Sequence, residues 1–194
     1  MLYMRWVYAS SISLHLFAKG TIAMIAFDLP AARFSYRVVG VAVHDGHALL
    51  HHATHDEFWS LPGGRCEATE ASDETLIREM QEEMGLSVKV ERLLWIVENF
   101  FTLDGQAYHE LGLYYLMTLP ADAPQLDVTT PFPGMETNDI PLIFQWFPLT
   151  ELPSLQLYPY FLRASLQALP DRITQVITHD EVDGGPPVRV IIRQ

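Results

Sequence analysis

Residues 64–86 read GRCEATEASDETLIREMQEEMGL, and the spacing inside that stretch decides how the rest of the chain is read. Four of its glutamates, Glu70, Glu79, Glu82 and Glu83, stand with Arg78 between Gly64 and Gly85. Glu79, Glu82 and Glu83 are spaced i, i+3 and i+4, which on an α-helix puts three carboxylates on one face. Carboxylates so crowded raise one another's pKa unless a cation neutralises them. Hard oxygen ligands of this kind suit Mg²⁺ or Mn²⁺. A solvated Glu-rich face is the commoner use of such a spacing, because glutamate is a good helix former. The flanks weigh on the choice. Ser72 is placed to cap the helix, and Asp73 and Glu74 complement its dipole. Leu76, Ile77, Met80 and Met84 supply an apolar stripe, and Gly85 a left-handed stop.

The whole stretch fits G-x5-E-x7-R-E-[apolar]-x-E-E-x-G-[apolar] at Gly64, Glu70, Arg78, Glu79, Met80, Glu82, Glu83, Gly85 and Leu86. Seven of these positions demand one residue type. At roughly 5–7% usage per type, a chance match at one start is on the order of 10⁻⁹. The stretch resembles the signature of the Nudix hydrolases, MutT-like and ADP-ribose-pyrophosphatase-like members included, without a departure. The signature covers 23 of the 194 residues, and the pattern from about residue 33 to residue 160 resembles the family as well.

The resemblance implies an enzyme that hydrolyses a diphosphate bond in a nucleoside diphosphate linked to another moiety, such as a nucleoside triphosphate or a nucleotide sugar. It implies Mg²⁺ as cofactor, with Mn²⁺ able to substitute, held by Glu79, Glu82, Glu83 and the Gly63 carbonyl. Arg78 belongs to the catalytic set as the residue that fixes a glutamate through a charge-assisted hydrogen bond. Gly64 and Glu70 are supporting residues. The general base is Glu79 or a carboxylate from outside the motif. Some relatives carry a glutamate before a late-strand tryptophan, but here Gln145 precedes Trp146. That leaves Glu110, Glu136 and Asp139 as substitutes. Phe101 and Tyr108, with Phe100 and Phe132, can stack on a base, although aromatic residues in long strands more often fill a core.

Substrate signatures are thin. The proline that marks many ADP-ribose hydrolases beyond the motif is missing, since residues 98–101 read ENFF. The tyrosine offset of dinucleoside-polyphosphate hydrolases and the coenzyme A signature are absent too. The rival reading is a catalytically inactive Nudix-fold regulator that binds nucleotide, a class whose glutamates are usually eroded. An isomerase-type relative would need a catalytic Cys and Glu elsewhere, and Cys66 is poorly sited for that. His51, His52 and His55, in HHATH, read as exposed strand histidines.

Composition narrows the partners. Twelve basic against 24 acidic residues give a formal charge of −12, which disfavours duplex nucleic acid because that partner needs a basic stripe. A phosphorylated small molecule stays compatible where bound metal inverts the local field. Cys66 is the single cysteine, so no internal disulfide forms, and a reducing cytoplasm is the expected location. Two apolar stretches, 6–17 and 22–27, are too short and too interrupted for a membrane span. They read as a peripheral strand or extension, with Met24 an alternative start. A homodimer stays open.

The expected architecture is α/β (α+β), a Nudix-type α/β/α sandwich around a mixed β-sheet. Residues 1–30 form an extension, 31–170 the Nudix domain and 171–194 a tail adding one strand, for example 188–192. Strands are expected at 34–43, 48–52, 58–61, 88–101, 106–119 and 143–147. Asp45-Gly46 and Asp104-Gly105 form turns, 62–64 a tight loop, 120–141 a Pro-rich loop and 158–168 a second helix.

Overall fold

The computed structural model describes residues 23–103, 105–135, 141–180 and 189–193. Along the chain run β1 (Ala26–Asp28), β2 (Arg33–Val41), β3 (Val43–His44), β4 (His47–Ala53), β5 (Gly63–Arg65) and helix α1 (Ser72–Met84). There follow β6 (Lys89–Leu103), β7 (Gln106–Thr118), β8 (Phe132–Pro133), β9 (Leu142–Pro148), α2 (Leu162–Ser165), β10 (Thr174–His179) and β11 (Arg189–Arg193). The main sheet has the order β1-β2-β7-β6-β10-β11, with β5 paired to β2; β3-β4-β9-β8 form a second sheet. The main sheet is mixed, because β2 pairs with β7 and β6 with β10 in parallel while its other pairs are antiparallel.

Strand β2 shows why the sandwich forms. Val38 points into a cluster with Leu76, Met80 and Met84 of α1, whereas Val39 and Val41 point into a second cluster with Phe161, Leu162 and Leu166 around α2. Both faces of the strand are covered at its C-terminal end, which accounts for the apolar run Val38–Val41. The mixed sheet between two helices is the expected architecture. Among the described residues no helix is long and apolar enough to cross a membrane.

Several local expectations are corrected. The N-cap of α1 is Ala71 rather than Ser72. The Ser72 hydroxyl is engaged with the Tyr115 hydroxyl at 2.7 Å, and Glu74 reaches back to the Ala71 N–H at 3.4 Å. Ile77 stays 38% exposed instead of joining the apolar stripe. Residues 58–61 make only isolated bridges, His51 with Ser60 and Trp59 with Leu157. The expected loop at 62–64 becomes β5 at its glycines. The second helix shrinks to four residues, since the turns ahead of it close through the tight bonds Leu162 N–H to Pro159 and Arg163 N–H to Tyr160. In the tail, β11 lies where a strand is expected, but β10 is an additional strand.

Gly85 ends α1 at φ 70°, its N–H bonded to the Gln81 carbonyl and that of Leu86 to the Met80 carbonyl, the left-handed stop that glycine makes inexpensive. Because α1 holds its place through fully buried Leu76 and Met80, Met80→Ala is expected to cost about 2–5 kcal/mol in urea denaturation. Ile77→Ala, on the exposed side, is expected to change the midpoint little.

Candidate active site

Arg78 organises the motif. Its Nε and Nη2 donate to Glu70 Oε1 and Oε2 at 2.8 and 3.0 Å. Its Nη1 donates to Glu79 Oε1 at 2.8 Å and Glu82 Oε2 at 3.1 Å, and Nη2 also reaches the Arg65 carbonyl at 3.2 Å. Glu70 further accepts from the Thr75 hydroxyl at 2.7 Å and the Glu67 N–H at 3.2 Å. These donors, Arg78 first, hold the Glu70 carboxyl down at about 2. The same carboxylates push the Arg78 guanidinium above its ordinary value. The loop glycines make room for this cluster. A methyl on Gly64 would run into the Glu79 carboxylate, and one on Gly63 (φ 143°) into the Val38 backbone.

Glu79 and Glu83 lie in poorer surroundings. Glu79 is only 8% exposed, and burial raises its pKa against the pull of Arg78. Burial drives Glu83 up to about 8; Arg37 and the Gly63 backbone N–H oppose that rise, while Glu79 and Glu82 add to it. Opposite stands His51, 6% exposed, its Nδ1 4.0 Å from Glu83 Oε2. Neither atom has a hydrogen-bond partner among the described residues. Burial, aided by Arg37 and His52, lowers the ring to about 3. At neutral pH the ring is therefore uncharged and the contact is not an ion pair. Arg37 Nη2 donates to the Gly63 carbonyl at 2.7 Å.

A cavity of about 360 Å³ opens beside these groups, with His51, Arg37 and Arg65 on the motif side and Phe101, Tyr108 and Glu110 on the other. Phe101 and Tyr108 stack on each other at 4.8 Å and 4°. Glu110 Oε2 accepts from the Ser35 hydroxyl at 3.3 Å. Asn99, in register with Glu110 across β6 and β7, turns a buried, unpartnered Oδ1 toward the same space, and the Tyr158 hydroxyl there is also unpartnered.

Arg78, Glu70, Glu79 and Glu82 thus gather at one point beside Gly64, with Gly63 and Glu83 adjoining through Arg37 and His51. Glu110, Phe101 and Tyr108 line the far cavity wall. Glu136 and Asp139 lie outside the described residues. The expectation of exposed histidines fails for His51, which is buried against Phe144 of β9 with ring centroids 5.3 Å apart. His52 is half-buried on Trp59 at 4.3 Å, and His55 is exposed. The sequence reading gives no role to Arg37 or Asn99 and puts His51 on the surface. The available signal was a polar residue directly adjoining an apolar run, Arg37 before Val38–Val41 and His51 after two leucines. Among the described residues no three Asp, Glu, His or Cys side chains converge as a metal cage, because Arg78 turns Glu79 and Glu82 toward itself.

A family model described as the NUDIX domain matches residues 35–168. The chain is 32% identical over 119 residues to YjhB of Bacillus subtilis (strain 168), provisionally named an ADP-ribose pyrophosphatase, across 61% of this chain and 52% of that one. It is 34% identical over 103 residues to MutT4 of Mycobacterium tuberculosis (strain CDC 1551 / Oshkosh), provisionally named a mutator protein, across 52% and 36%. The match thus spans about half or less of these relatives' length. The crystal structure of a MutT protein from Bacillus halodurans is similar with a TM-score of 0.54, covering 81% of this chain and 97% of that one. Its sequence is 18% identical, so the likeness is one of fold.

The shifts at Glu83 and Glu70 predict how the metal-free fold responds to pH. Glu83, at about 8 in the fold against 4.5 unfolded, contributes stability in full below about pH 4.5 and loses it as pH rises toward 8. Glu70, at about 2, contributes fully above 4.5 and is constant across that window. His51, lowered from 6.5 to about 3, contributes stability that grows as pH rises to 6.5 and offsets the Glu83 loss up to that point. The thermal midpoint of chelator-treated protein should therefore fall between about pH 6.5 and 8.5, and Glu83→Gln should flatten the fall. An equal slope in the variant would count against the burial argument.

Proposed function

The chain belongs to the Nudix family, and from that membership we propose that it is a pyrophosphohydrolase acting on a nucleoside diphosphate linked to another moiety. The observation that carries the proposal is the Arg78 cluster, which adjoins a cavity of about 360 Å³ through Arg65, Arg37 and His51 on that cavity's wall. The similarity to a relative named as an ADP-ribose pyrophosphatase supports the same reaction class. A nucleoside triphosphate or a nucleotide-sugar-like compound is the substrate proposed.

Nudix hydrolases use a divalent metal, and the donor set here suits one. Glu83 Oε2 is a buried carboxylate oxygen without a partner, which is costly unless a cation or proton meets it. In this reading Glu79, Glu82, Glu83 and the Gly63 carbonyl hold Mg²⁺, with Mn²⁺ able to replace it. The cation supplies charge neutralisation at the diphosphate and lowers the pKa of the attacking water. Arg78, anchored bidentately on Glu70, keeps the glutamates in register and does not itself touch the cation. Arg37, now on the Gly63 carbonyl at the cavity wall, is the cationic side chain placed to meet a phosphate oxygen. The proton from the attacking water passes to Glu79, the buried carboxylate beside the proposed cation site. Glu110, across the cavity, is the alternative acceptor. Phe101 and Tyr108 offer the stacking surface for a base.

A panel of nucleoside triphosphates, nucleotide sugars and ADP-ribose, read by phosphate release with Mg²⁺ and Mn²⁺, tests the proposal. Glu83→Gln is expected to lower kcat by roughly two orders of magnitude or more on every accepted substrate. Full turnover in that variant would refute the role given to the glutamate. Arg78→Lys, which keeps the charge but loses the bidentate fork, is expected to lower activity roughly 10–100-fold with the fold intact by circular dichroism.

A further inference from the structure

We propose that His51 is a nitrogen ligand to the divalent cation held at Glu83, which biases this site toward Mn²⁺ over Mg²⁺. The inference rests on the reading of the motif glutamates as metal-bearing side chains and adds a residue from outside the motif.

The geometry of two buried atoms carries it. Nδ1 of His51 and Oε2 of Glu83 face each other at 4.0 Å with no partner among the described residues. At that separation there is no direct hydrogen bond. The imidazole is held where it is. The His51 backbone bonds Ser60 in both directions at 2.9 Å, its strand pairs with Phe144, and its ring packs on the Phe144 ring. The ring cannot leave to find water without breaking that packing, so an unmet ring nitrogen is costly. Two ligands at right angles on one cation, each bonded at about 2.1 Å, stand about 3 Å apart. A small rotation of the longer Glu83 side chain closes the difference.

Chemistry sets the consequence. Imidazole ligates metals through the lone pair of an unprotonated ring nitrogen, and Nδ1 of His51 is the nitrogen turned toward Glu83. A nitrogen ligand suits borderline transition cations, whereas Mg²⁺ prefers oxygen throughout. Arg78 occupies one oxygen each of Glu79 and Glu82, and the nitrogen adds a further donor beside the glutamate oxygens that remain.

Pulsed electron paramagnetic resonance of the Mn²⁺-loaded protein tests the proposal independently of turnover. The wild-type protein is expected to show a ¹⁴N coupling that converts to ¹⁵N on histidine labelling, vanishes in His51→Gln and persists in His52→Gln. The ratio of Mn²⁺ to Mg²⁺ affinity should drop roughly 10-fold in His51→Gln. Tight, Glu83-dependent Mn²⁺ binding without nitrogen coupling, or coupling that survives His51→Gln, overturns the assignment and leaves the glutamate reading standing. Mn²⁺ binding that is unchanged in Glu83→Gln overturns both. Should His51→Gln fail to fold, the labelled wild type and His52→Gln decide the matter, because coupling lost in His52→Gln also overturns the proposal.

Discussion

One guanidinium gathers what the motif scatters. Arg78 reaches back from α1 to Glu70 in the preceding loop, sideways to Glu79 and forward to Glu82, and takes the Arg65 carbonyl of β5 as well. Lysine has the charge but not the fork, and it could not hold two oxygens of Glu70 while serving two more carboxylates. The interaction therefore fixes the loop to the helix and the helix to the edge of the sheet at once. It also explains why Gly64 has no side chain. The space a Cβ would need belongs to the Glu79 carboxylate that Arg78 holds.

That arrangement leaves a tension at its inner end. Arg78 compensates Glu70 fully and Glu79 in part, but Glu83 lies beyond its reach in a buried pocket with His51 and Arg37. The apolar back of α1, which anchors the helix, is the same burial that removes water from Glu83. Stability of the helix and discomfort of the carboxylate thus have one cause. In a protein evolved only for stability such a group would be replaced; its presence is the strongest physical argument that something charged arrives there.

What was readable beforehand and what was not divide along sequence distance. The loop, helix and left-handed stop were legible because their determinants lie within a few residues of one another, and the β2, β6 and β7 runs were legible from their β-branched and aromatic content. His51 was not, because its burial is decided by Phe144, some ninety residues away, and by Ser60 on the neighbouring segment. Arg37 was missed for the same reason. Its partner is a backbone carbonyl that β5 brings alongside β2. The four-residue α2 misled in the other direction, since an apolar stretch with helical spacing is packed by its tertiary neighbours even when most of it is turn. Ser72 looked like a cap until the Tyr115 hydroxyl on β7 took its side chain.

The same division separates reaction from recognition. The motif itself is one loop and one helix, and it meets the cavity through Arg65 at the start of the loop, with Arg37 and His51 leaning in from β2 and β4. The opposite wall is assembled from pieces distant in sequence: Asn99 and Phe101 on β6, Tyr108 and Glu110 on β7, Tyr158 before α2, and Asp180 after β10. Asp180 is itself fixed by the Thr178 hydroxyl at 2.7 Å and the Tyr160 N–H at 2.9 Å, so this wall has its own polar scaffold. A change there leaves the Arg78 cluster untouched, because no hydrogen bond joins the two sets of side chains among the described residues. A local motif can thus keep one hydrolytic chemistry while a wall built by long-range register is altered for a different leaving group, and for that reason the 23 residues that reveal the reaction are nearly silent about the substrate.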